Sequence, residues 1–313
     1  MKQKAKILVL LLIIALVVYL IFARRKNKPP VIIEDLPKKS YSRIVSLAPS
    51  ITEILFALGL GDKVIGVSEF SNYPPAVNQI PKVGGLLNPN YEAIVAAKPD
   101  LVIFFENMPG MADKFDSLKI KGLAVKHDSL NEILDSIQII GRYCGKAQEA
   151  DKIVSEIRSK INSIQSQTSG GNRPKVLISL GHDYSKDASE KPQNIYIAGD
   201  DGFYSEMVRL AGGQNAYEGK LPFPMVNVES IITMNPQIII DIAPVETKPT
   251  DSEITIKQWK NFDLIDAAKS DRIYVFTEDY TAIPGPRFIL TLEKIARIIN
   301  PQLNLQKNEP NSN

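Results

Sequence analysis

The sequence predicts an α/β protein of two similar lobes joined by one long helix and preceded by a membrane helix. Three observations lead to this prediction. A short helix-then-strand pattern occurs twice, a segment of 22 residues between the two copies keeps helical periodicity, and strand-like and helix-like runs alternate on both sides of that segment. Such alternation is typical of parallel sheets that are covered by helices.

The repeated pattern is the strongest of these observations. One copy covers residues 88–103 and the other covers residues 226–240, and aligning Asn90 with Asn227 gives an offset of 137 residues (227 − 90). In each copy the asparagine can cap a short helix, a proline ends that helix, and a β-branched run follows as a buried strand. The duplication therefore predicts two lobes built on one plan.

Each copy also carries a glutamate in the first helical turn, Glu92 in one and Glu229 in the other. A negative charge suits the amino end of a helix, and for either residue alone this is the plainer interpretation. Because the two glutamates occupy equivalent places in the two copies, we expect each lobe to present one carboxylate on a matching surface.

The amino-terminal region differs from the rest of the chain. Residues 1–28 contain seven Lys and Arg and no acid, and they flank an uncharged apolar run, Ile7 to Ala23. This run is long enough to span a bilayer, no small-residue cleavage pattern follows it, and no cysteine follows it for a lipid anchor. We expect an uncleaved signal-anchor over residues 1–28 and a Pro-rich tether over 29–41, with cleavage as the alternative.

The remaining chain divides into an N-terminal lobe (42–145), a connecting helix (146–168), a C-terminal lobe (172–301) and a polar, disordered tail (302–313). Outside the first 28 residues, 30 Lys and Arg face 35 Asp and Glu. This mildly acidic balance argues against nucleic acid as a partner. The single cysteine, Cys144, permits no intrachain disulfide.

Known catalytic motifs are incomplete in this sequence. Phosphate-loop, dinucleotide and nucleophile-elbow patterns each fail on spacing or on an essential residue. The two histidines, His127 and His182, fall in different lobes, so no resident metal centre and no cofactor are predicted. At the first helix, Ser50 and Glu53 have the spacing of a capping box. Together these features favour binding over catalysis.

Aromatic residues occur in the loops that should connect strands to helices. Ligands of open α/β sheets bind at the carboxyl ends of strands, where such loops lie. A core position is the plainer interpretation of each ring taken alone. Phe223 and Tyr280 are the stronger candidates because their loops are rich in Pro or Gly. The full set is Phe70, Tyr73, Phe105, Phe223 and Tyr280.

Several segments together resemble class III periplasmic substrate-binding proteins, which serve ABC importers for cobalamin, iron-siderophores and haem. The resemblance covers residues 42–300, and no single segment would establish it. The segments are RIVSLAPSITEILFALGLGDKVIGVSEFSNYP, GGLLNPNYEAIVAAKPDLVIF, LAGGQNAY, NVESIITMNPQIIID and PGPRFI.

The resemblance implies two Rossmann-like lobes, a rigid connecting helix and a small closure on binding. It also implies that Glu92 and Glu229 dock onto basic residues of the importer's membrane subunits. By position, the residues that would line the ligand cleft are Phe70, Leu86, Phe105, Phe223, Tyr280 and Arg287. The tryptophan often found at three of these positions is absent here, where Leu86, Phe105 and Phe223 stand instead.

We therefore expect a monomeric, extracytoplasmic binding protein, anchored in the cytoplasmic membrane, that captures a metal chelate and delivers it to an ABC importer. A corrinoid or similar uncharged ligand is favoured, because Arg287 is the lone clear cationic candidate for the cleft. A ferric siderophore is the close alternative, and haem is a more distant one. A membrane-anchored ligand sensor is the alternative of another class, and an enzyme would lack an identifiable nucleophile or base pair.

Overall fold

The computed structural model describes residues 40–183, 187–243 and 252–303. The expected membrane helix, nearly all of the tether and most of the expected tail lie outside these ranges. Within them, no helix is both long and apolar enough to cross a bilayer.

The first lobe contains a parallel sheet of four strands in the order β2-β1-β3-β4. Its strands are short, and all except the edge strand β4 are almost entirely buried, as expected when helices cover both faces. Val45, Val102 and Phe115 are among the residues of its apolar core. The strands are β1 (Ile44–Ser46), β2 (Val64–Val67), β3 (Leu101–Phe105) and β4 (Gly122–Val125), and the helices are α1 (Pro49–Ala57), α2 (Tyr91–Ala96), α3 (Met111–Ser117) and α4 (Leu130–Tyr143).

The second lobe contains a mixed sheet in the order β10-β9-β5-β6-β8, with β7 paired to the start of β5. Trp259 and Phe262 anchor its apolar core. The strands are β5 (Lys175–Asp183), β6 (Gln193–Ile197), β7 (Gln214–Asn215), β8 (Met225–Val226), β9 (Ile238–Ile242) and β10 (Ile273–Phe276), and the helices are α6 (Tyr204–Leu210), α7 (Val228–Met234), α8 (Ser252–Lys260), α9 (Asp266–Lys269) and α10 (Phe288–Ile299).

This second sheet is not wholly parallel. Strand β6 runs antiparallel to β5, and β8 runs antiparallel to β6. The connection from Asp183 to Gln193 is too short for a crossover helix, so the chain returns directly and forms an antiparallel pair. The α/β class is confirmed, whereas the expectation of parallel pairing holds only for the first sheet and for β5, β7, β9 and β10 of the second.

The repeated sequence pattern forms the same local structure twice. Asn90 accepts a hydrogen bond from the Ala93 N–H at the start of α2, and Asn227 accepts one from the Ser230 N–H at the start of α7. A buried strand follows each helix, β3 after α2 and β9 after α7. The helix and strand predicted from each copy are confirmed.

The helical segment between the lobes is α5, Ala147–Thr168, which is about 33 Å long at 1.5 Å per residue. Its buried stripe includes Val154 and Ile157. It packs against α4 of the first lobe and against α6 and α10 of the second. One continuous helix therefore contacts both lobes.

The start of α1 differs from the expected capping box. The helix begins at Pro49 after Ala48, and no side chain caps it. Glu53 is buried, and its carboxylate binds Arg287 of the second lobe. The capping-box prediction was therefore wrong, because a contact distant in sequence takes the carboxylate that the helix terminus would have used.

Candidate ligand cleft

A cavity of about 600 Å³ lies where the loops of the two lobes meet. This volume falls within the range of small-molecule sites. The cavity lies at strand ends, as expected for open α/β sheets. The first lobe contributes Asn107, His127 and Asp128; the second contributes Leu180, Asp201, Phe203, Tyr204, Pro222, Phe223, Ile242, Ala282 and Pro284.

The first-lobe wall is the short loop between β4 and α4. Ser129 caps α4 by accepting from the Glu132 N–H, and Glu132 accepts in return from the Asp128 N–H at 3.0 Å. Ser136 donates to the Lys126 carbonyl at 2.6 Å. These bonds hold both sides of His127 in place, as a reciprocal cap does at a helix start.

The His127 ring lies flat on the Phe105 ring, with centroids 3.6 Å apart and an interplanar angle of 12°. Phe105 is buried and therefore supports His127 from behind. Burial lowers the pKa of His127, although the nearby Asp128 and Glu132 carboxylates oppose that change. The ring is therefore neutral at neutral pH.

The second-lobe wall is held by Asp201 at the start of α6. Its two carboxylate oxygens accept hydrogen bonds from the Tyr204 and Ser205 N–H groups, both at 2.9 Å. The Tyr204 hydroxyl donates to the Thr281 carbonyl, and the Phe203 and Tyr204 rings pack edge to face. This wall is aromatic and tied to the backbone at three points.

The charged side chains that line the cavity in the described part of the chain are acidic. Among the described residues that line it, Asp128 and Asp201 carry carboxylates and none is Lys or Arg. Phe223, Phe203 and Tyr204 supply aromatic surface. Such a wall suits a ligand that is apolar and uncharged, or that carries positive charge.

Arg287 is held by two carboxylates from different parts of the chain. Its guanidinium donates to both oxygens of Glu53 at 3.0 and 2.6 Å and to both oxygens of Asp279 at 3.0 and 2.8 Å. The guanidinium carbon lies 3.7 Å from the Tyr73 ring centroid and 5.6 Å from that of Tyr280. The expected cleft cation therefore forms a contact between the lobes.

This three-residue group carries one more negative than positive charge when all three residues are ionised. Burial raises the pKa of Glu53, and the hydrogen bonds from Arg287 oppose the rise without cancelling it. Burial alone would lower the pKa of Arg287, but the two carboxylates together outweigh burial and hold that pKa above its usual range. The group offers no excess positive charge to a ligand.

The ligand-cleft residues proposed from sequence lie in different parts of the structure. Phe223 lines the cavity and is 56% exposed. Phe105 lies behind His127, and Tyr73 and Tyr280 lie beside Arg287. Phe70 is exposed and Leu86 is half-buried, and neither is among the residues that line the cavity.

Glu92 and Glu229 occupy equivalent positions in the structure. Both side chains are exposed, one in the first turn of α2 and the other in the first turn of α7. Within the described ranges neither forms an ion pair, so both carboxylates are available to a partner.

A close approach between the lobes occurs at Gly202, where φ is +71°. A Cβ there would lie 2.5 Å from the Asp128 carbonyl oxygen. We expect Gly202→Ala to lower the free energy of unfolding by about 1–2 kcal/mol for the left-handed backbone and by about 1–3 kcal/mol more for the clash. Gly110→Ala is the matched control, because Gly110 also has φ of +71° but nothing lies within 4 Å of its added Cβ. Equal losses in urea unfolding would contradict the close approach.

The second histidine is part of the C-terminal core. His182 Nε2 lies 3.0 Å from Asp241 Oδ2, and both side chains are fully buried. His182 Nδ1 lies 3.1 Å from the Asp183 carbonyl, and the Trp259 indole N–H donates to Asp241 Oδ2 at 2.7 Å. Since both imidazole nitrogens face acceptors, this site favours the doubly protonated ring.

Burial alone would lower the pKa of His182, but its bond to Asp241 and that carboxylate's charge outweigh burial and raise it. The resulting stabilisation is complete below the unfolded pKa of about 6.5 and is lost as pH rises through the higher folded pKa. Its size is about 1.4 kcal/mol for each unit by which the folded pKa exceeds the unfolded pKa. We expect urea unfolding to show this loss as pH rises above about 6.5. Asp241→Asn, which keeps an acceptor for Trp259, should abolish it; an unchanged slope would contradict the pairing.

The cavity position of His127 and the ion pair of Glu53 with Arg287 were not predicted from the sequence. A signal existed for each. His127 directly follows a predicted strand, and Glu53 is the one acid in the apolar run from Ile51 to Leu60. An isolated carboxylate in such a run needs a buried partner.

Two α/β lobes that share a ligand-sized cavity at their strand ends, spanned by one helix, define a two-lobed solute-binding protein. The model of the periplasmic binding protein family matches residues 44–280, and the chain belongs to this family.

Relatives and solved structures agree with that assignment. An uncharacterized ABC transporter substrate-binding lipoprotein of Bacillus subtilis, YvrC, is 33% identical over 87% of this chain and 86% of its own length. The vitamin B12-binding protein of Vibrio cholerae is 28% identical over 85% and 91%. A possible iron-binding solute-binding protein of Staphylococcus epidermidis is 31% identical with a TM-score of 0.67, covering 84% of this chain and 100% of that one.

The crystal structure of the vitamin B12-binding protein BtuF of Vibrio cholerae has a TM-score of 0.70 at 25% identity, covering 83% of this chain and 96% of that chain. The protein described here is therefore a substrate-binding protein of ABC transporters.

Proposed function

We propose that this protein captures an uncharged metal chelate of the corrinoid type outside the cytoplasmic membrane and delivers it to an ABC importer. The observation that carries the proposal is the cavity between the lobes, with its aromatic wall, its two carboxylates and no Lys or Arg among its described lining residues. The vitamin B12-binding relatives support the same ligand class.

The candidate ligands differ in net charge, and this difference decides which of them suit the cavity. An anionic chelate, such as a ferric tris-catecholate or iron protoporphyrin with its two carboxylates, would meet Asp128 and Asp201. The cation expected in the cleft, Arg287, is already bound to Glu53 and Asp279. An uncharged corrinoid or an uncharged ferric hydroxamate avoids that repulsion, and a corrinoid also uses the aromatic wall.

Ligand titration tests this proposal. Purified full-length protein in detergent is titrated with cyanocobalamin, a ferric trihydroxamate, iron protoporphyrin and a ferric tris-catecholate, with absorbance and tryptophan fluorescence as readouts. We expect cyanocobalamin to bind most tightly and the two anionic chelates not to bind. Binding of the trihydroxamate alone would support the ferric-siderophore alternative. Tight binding of the tris-catecholate would contradict the charge argument.

The same titration separates binding from catalysis. We expect mass spectrometry of the recovered ligand to show an unchanged molecule, since relatives in this family are transport proteins. A modified ligand would indicate an enzyme.

We infer that Glu92 and Glu229 are the docking points for the importer. Each is an exposed carboxylate at the start of a short helix, and the two helices are related by the duplication. One glutamate of each lobe would then contact one membrane subunit. Docking at both contacts would therefore depend on the relative position of the two lobes.

We also propose that residues 7–23 anchor the protein, which would raise its effective concentration near the importer. Retention in the membrane after alkaline extraction, with an intact amino-terminal peptide by mass spectrometry, is the expected result. A mature protein that begins after residue 28 would contradict the anchor. Normal ligand uptake by cells that lack the protein would instead favour the sensor alternative.

A further inference from the structure

We propose that His127 coordinates the metal of the bound chelate through Nε2, and that the natural ligand has an open or exchangeable axial position on its metal. This inference rests on the proposed function, because it concerns how the same cavity holds a metal chelate. His127 is not one of the cleft-lining residues that the family resemblance implied.

The surroundings of His127 leave one nitrogen available. The imidazole lines the cavity with its side chain 21% exposed, and Phe105 covers one face of the ring. Nδ1 lies 3.7 Å from Asp128 Oδ1. Nε2 has no hydrogen-bond partner among the described residues.

This arrangement is the one that proteins use to prepare a histidine ligand. A carboxylate beside one imidazole nitrogen fixes the tautomer and increases the donor strength of the other nitrogen. Here the Asp128 carboxylate, 3.7 Å from Nδ1, places negative charge beside that nitrogen and favours the tautomer that carries its proton on Nδ1. The ring is also held rigidly, because Phe105 supports it and the bonds of Ser136 and Glu132 fix the backbone on either side.

Two other polar side chains in the described part of the chain lack the free donor atom that His127 has. His182 has both nitrogens occupied by Asp241 and Asp183 and no exposed side-chain surface. Of the two carboxylates that line the cavity, Asp201 uses both oxygens on backbone N–H groups of α6, and Asp128 lies beside His127 Nδ1. Among the described residues that line the cavity, His127 is thus the one nitrogen donor for a metal.

The inference restricts the ligand class further than charge does. A ferric trihydroxamate fills all six positions of its metal with its own oxygens and offers none to an imidazole. A corrinoid with water on its cobalt exchanges that water for a nitrogen ligand, with no change in oxidation state; the water leaves and the Nε2 lone pair takes its place. The cavity would therefore bind a corrinoid with an exchangeable axial group more tightly than the same corrinoid with both axial positions blocked.

Visible spectroscopy with two cobinamides tests this inference on the full-length protein. We expect diaquocobinamide to acquire the spectrum of an imidazole complex when it binds to the wild type. His127→Gln keeps a flat polar side chain against Phe105 but removes the imidazole. It should bind diaquocobinamide with an unchanged, water-coordinated spectrum and with about tenfold or greater loss of affinity. Dicyanocobinamide, whose axial positions are blocked, should bind equally to both proteins and so reports that the variant is folded.

Asp128→Asn is the second variant, and it should reduce the affinity for diaquocobinamide while retaining the imidazole-type spectrum. The inference is overturned if diaquocobinamide bound to the wild type shows no imidazole spectrum, or shows it equally in His127→Gln; the proposed function survives either result. Binding of the ferric trihydroxamate with no binding of either cobinamide also overturns it. If the wild type binds none of these chelates, the proposed function fails as well.

Discussion

Ligand uptake is expected to fall to background when Glu92 and Glu229 are both replaced by lysine, while ligand affinity stays unchanged. Both side chains are exposed and unpaired within the described ranges, and neither is among the residues that line the cavity. Reversing both charges replaces attraction with repulsion at two separate contacts with a basic partner, and like charges in contact cost several kcal/mol in association. Uptake by cells that lack the native protein, and ligand titration of the purified variant, provide the two measurements.

A matched control separates docking from net charge. Asp113 lies in the first turn of α3, and Glu156 lies on α5; both are exposed. The double variant Asp113→Lys with Glu156→Lys changes the net charge by the same amount at positions outside the duplicated helices. We expect its uptake to match the wild type. Uptake by the Glu92 and Glu229 double variant that equals this control would remove the docking assignment.

Local patterns in the sequence predicted local structure well. The asparagine-to-proline stretch at Asn90 and at Asn227 specifies a cap, a short helix and a following strand within about a dozen residues, and each step has a short-range physical cause. The long helix α5 follows in the same way from its apolar periodicity. These elements need no information about the rest of the chain.

The features that define the cleft depend on contacts distant in sequence. Glu53 and Arg287 are separated by 234 positions, so a pattern within either helix does not show that they meet. Strand β6 pairs antiparallel with β5 because the connection between them is short. The polar residues of that connection predict only a loop and not the direction of the next strand. His127 becomes a cavity residue only when the second lobe packs opposite it. Short-range patterns therefore predicted the α/β class and the repeated helix-and-strand unit, whereas the wall and charge of the cavity required the structure.

Replacing Arg287 with methionine is expected to lower the free energy of unfolding by about 3–5 kcal/mol, because it leaves the buried Glu53 carboxylate without its cation. Only 3% of the Glu53 side chain is exposed, so water cannot take over the role of the guanidinium. Asp279, whose side chain is 35% exposed, can be rehydrated. Urea unfolding monitored by far-ultraviolet circular dichroism gives the measurement.

The loss should depend on pH in a defined direction. Without the guanidinium, burial raises the folded pKa of Glu53 further, since burial is already the larger influence in the wild type. A carboxyl with a raised folded pKa stabilises the fold below its unfolded pKa of about 4.3, and that contribution is lost as pH rises through the folded pKa. The deficit of the variant should therefore be smallest near about pH 4 and should grow towards neutral pH.

The double variant Glu53→Gln with Arg287→Met distinguishes a structural role for Arg287 from the ligand-binding role that its position suggests. Removing the charge of Glu53 removes the unpaired buried carboxylate, so most of the lost stability should return. If Arg287 serves only to join the lobes, ligand affinity should return with the stability. If the stability returns and the affinity does not, Arg287 contacts the ligand, and the cavity boundaries drawn here would have to include it. A single variant as stable as the wild type would show that Glu53 and Arg287 are not paired in the folded protein.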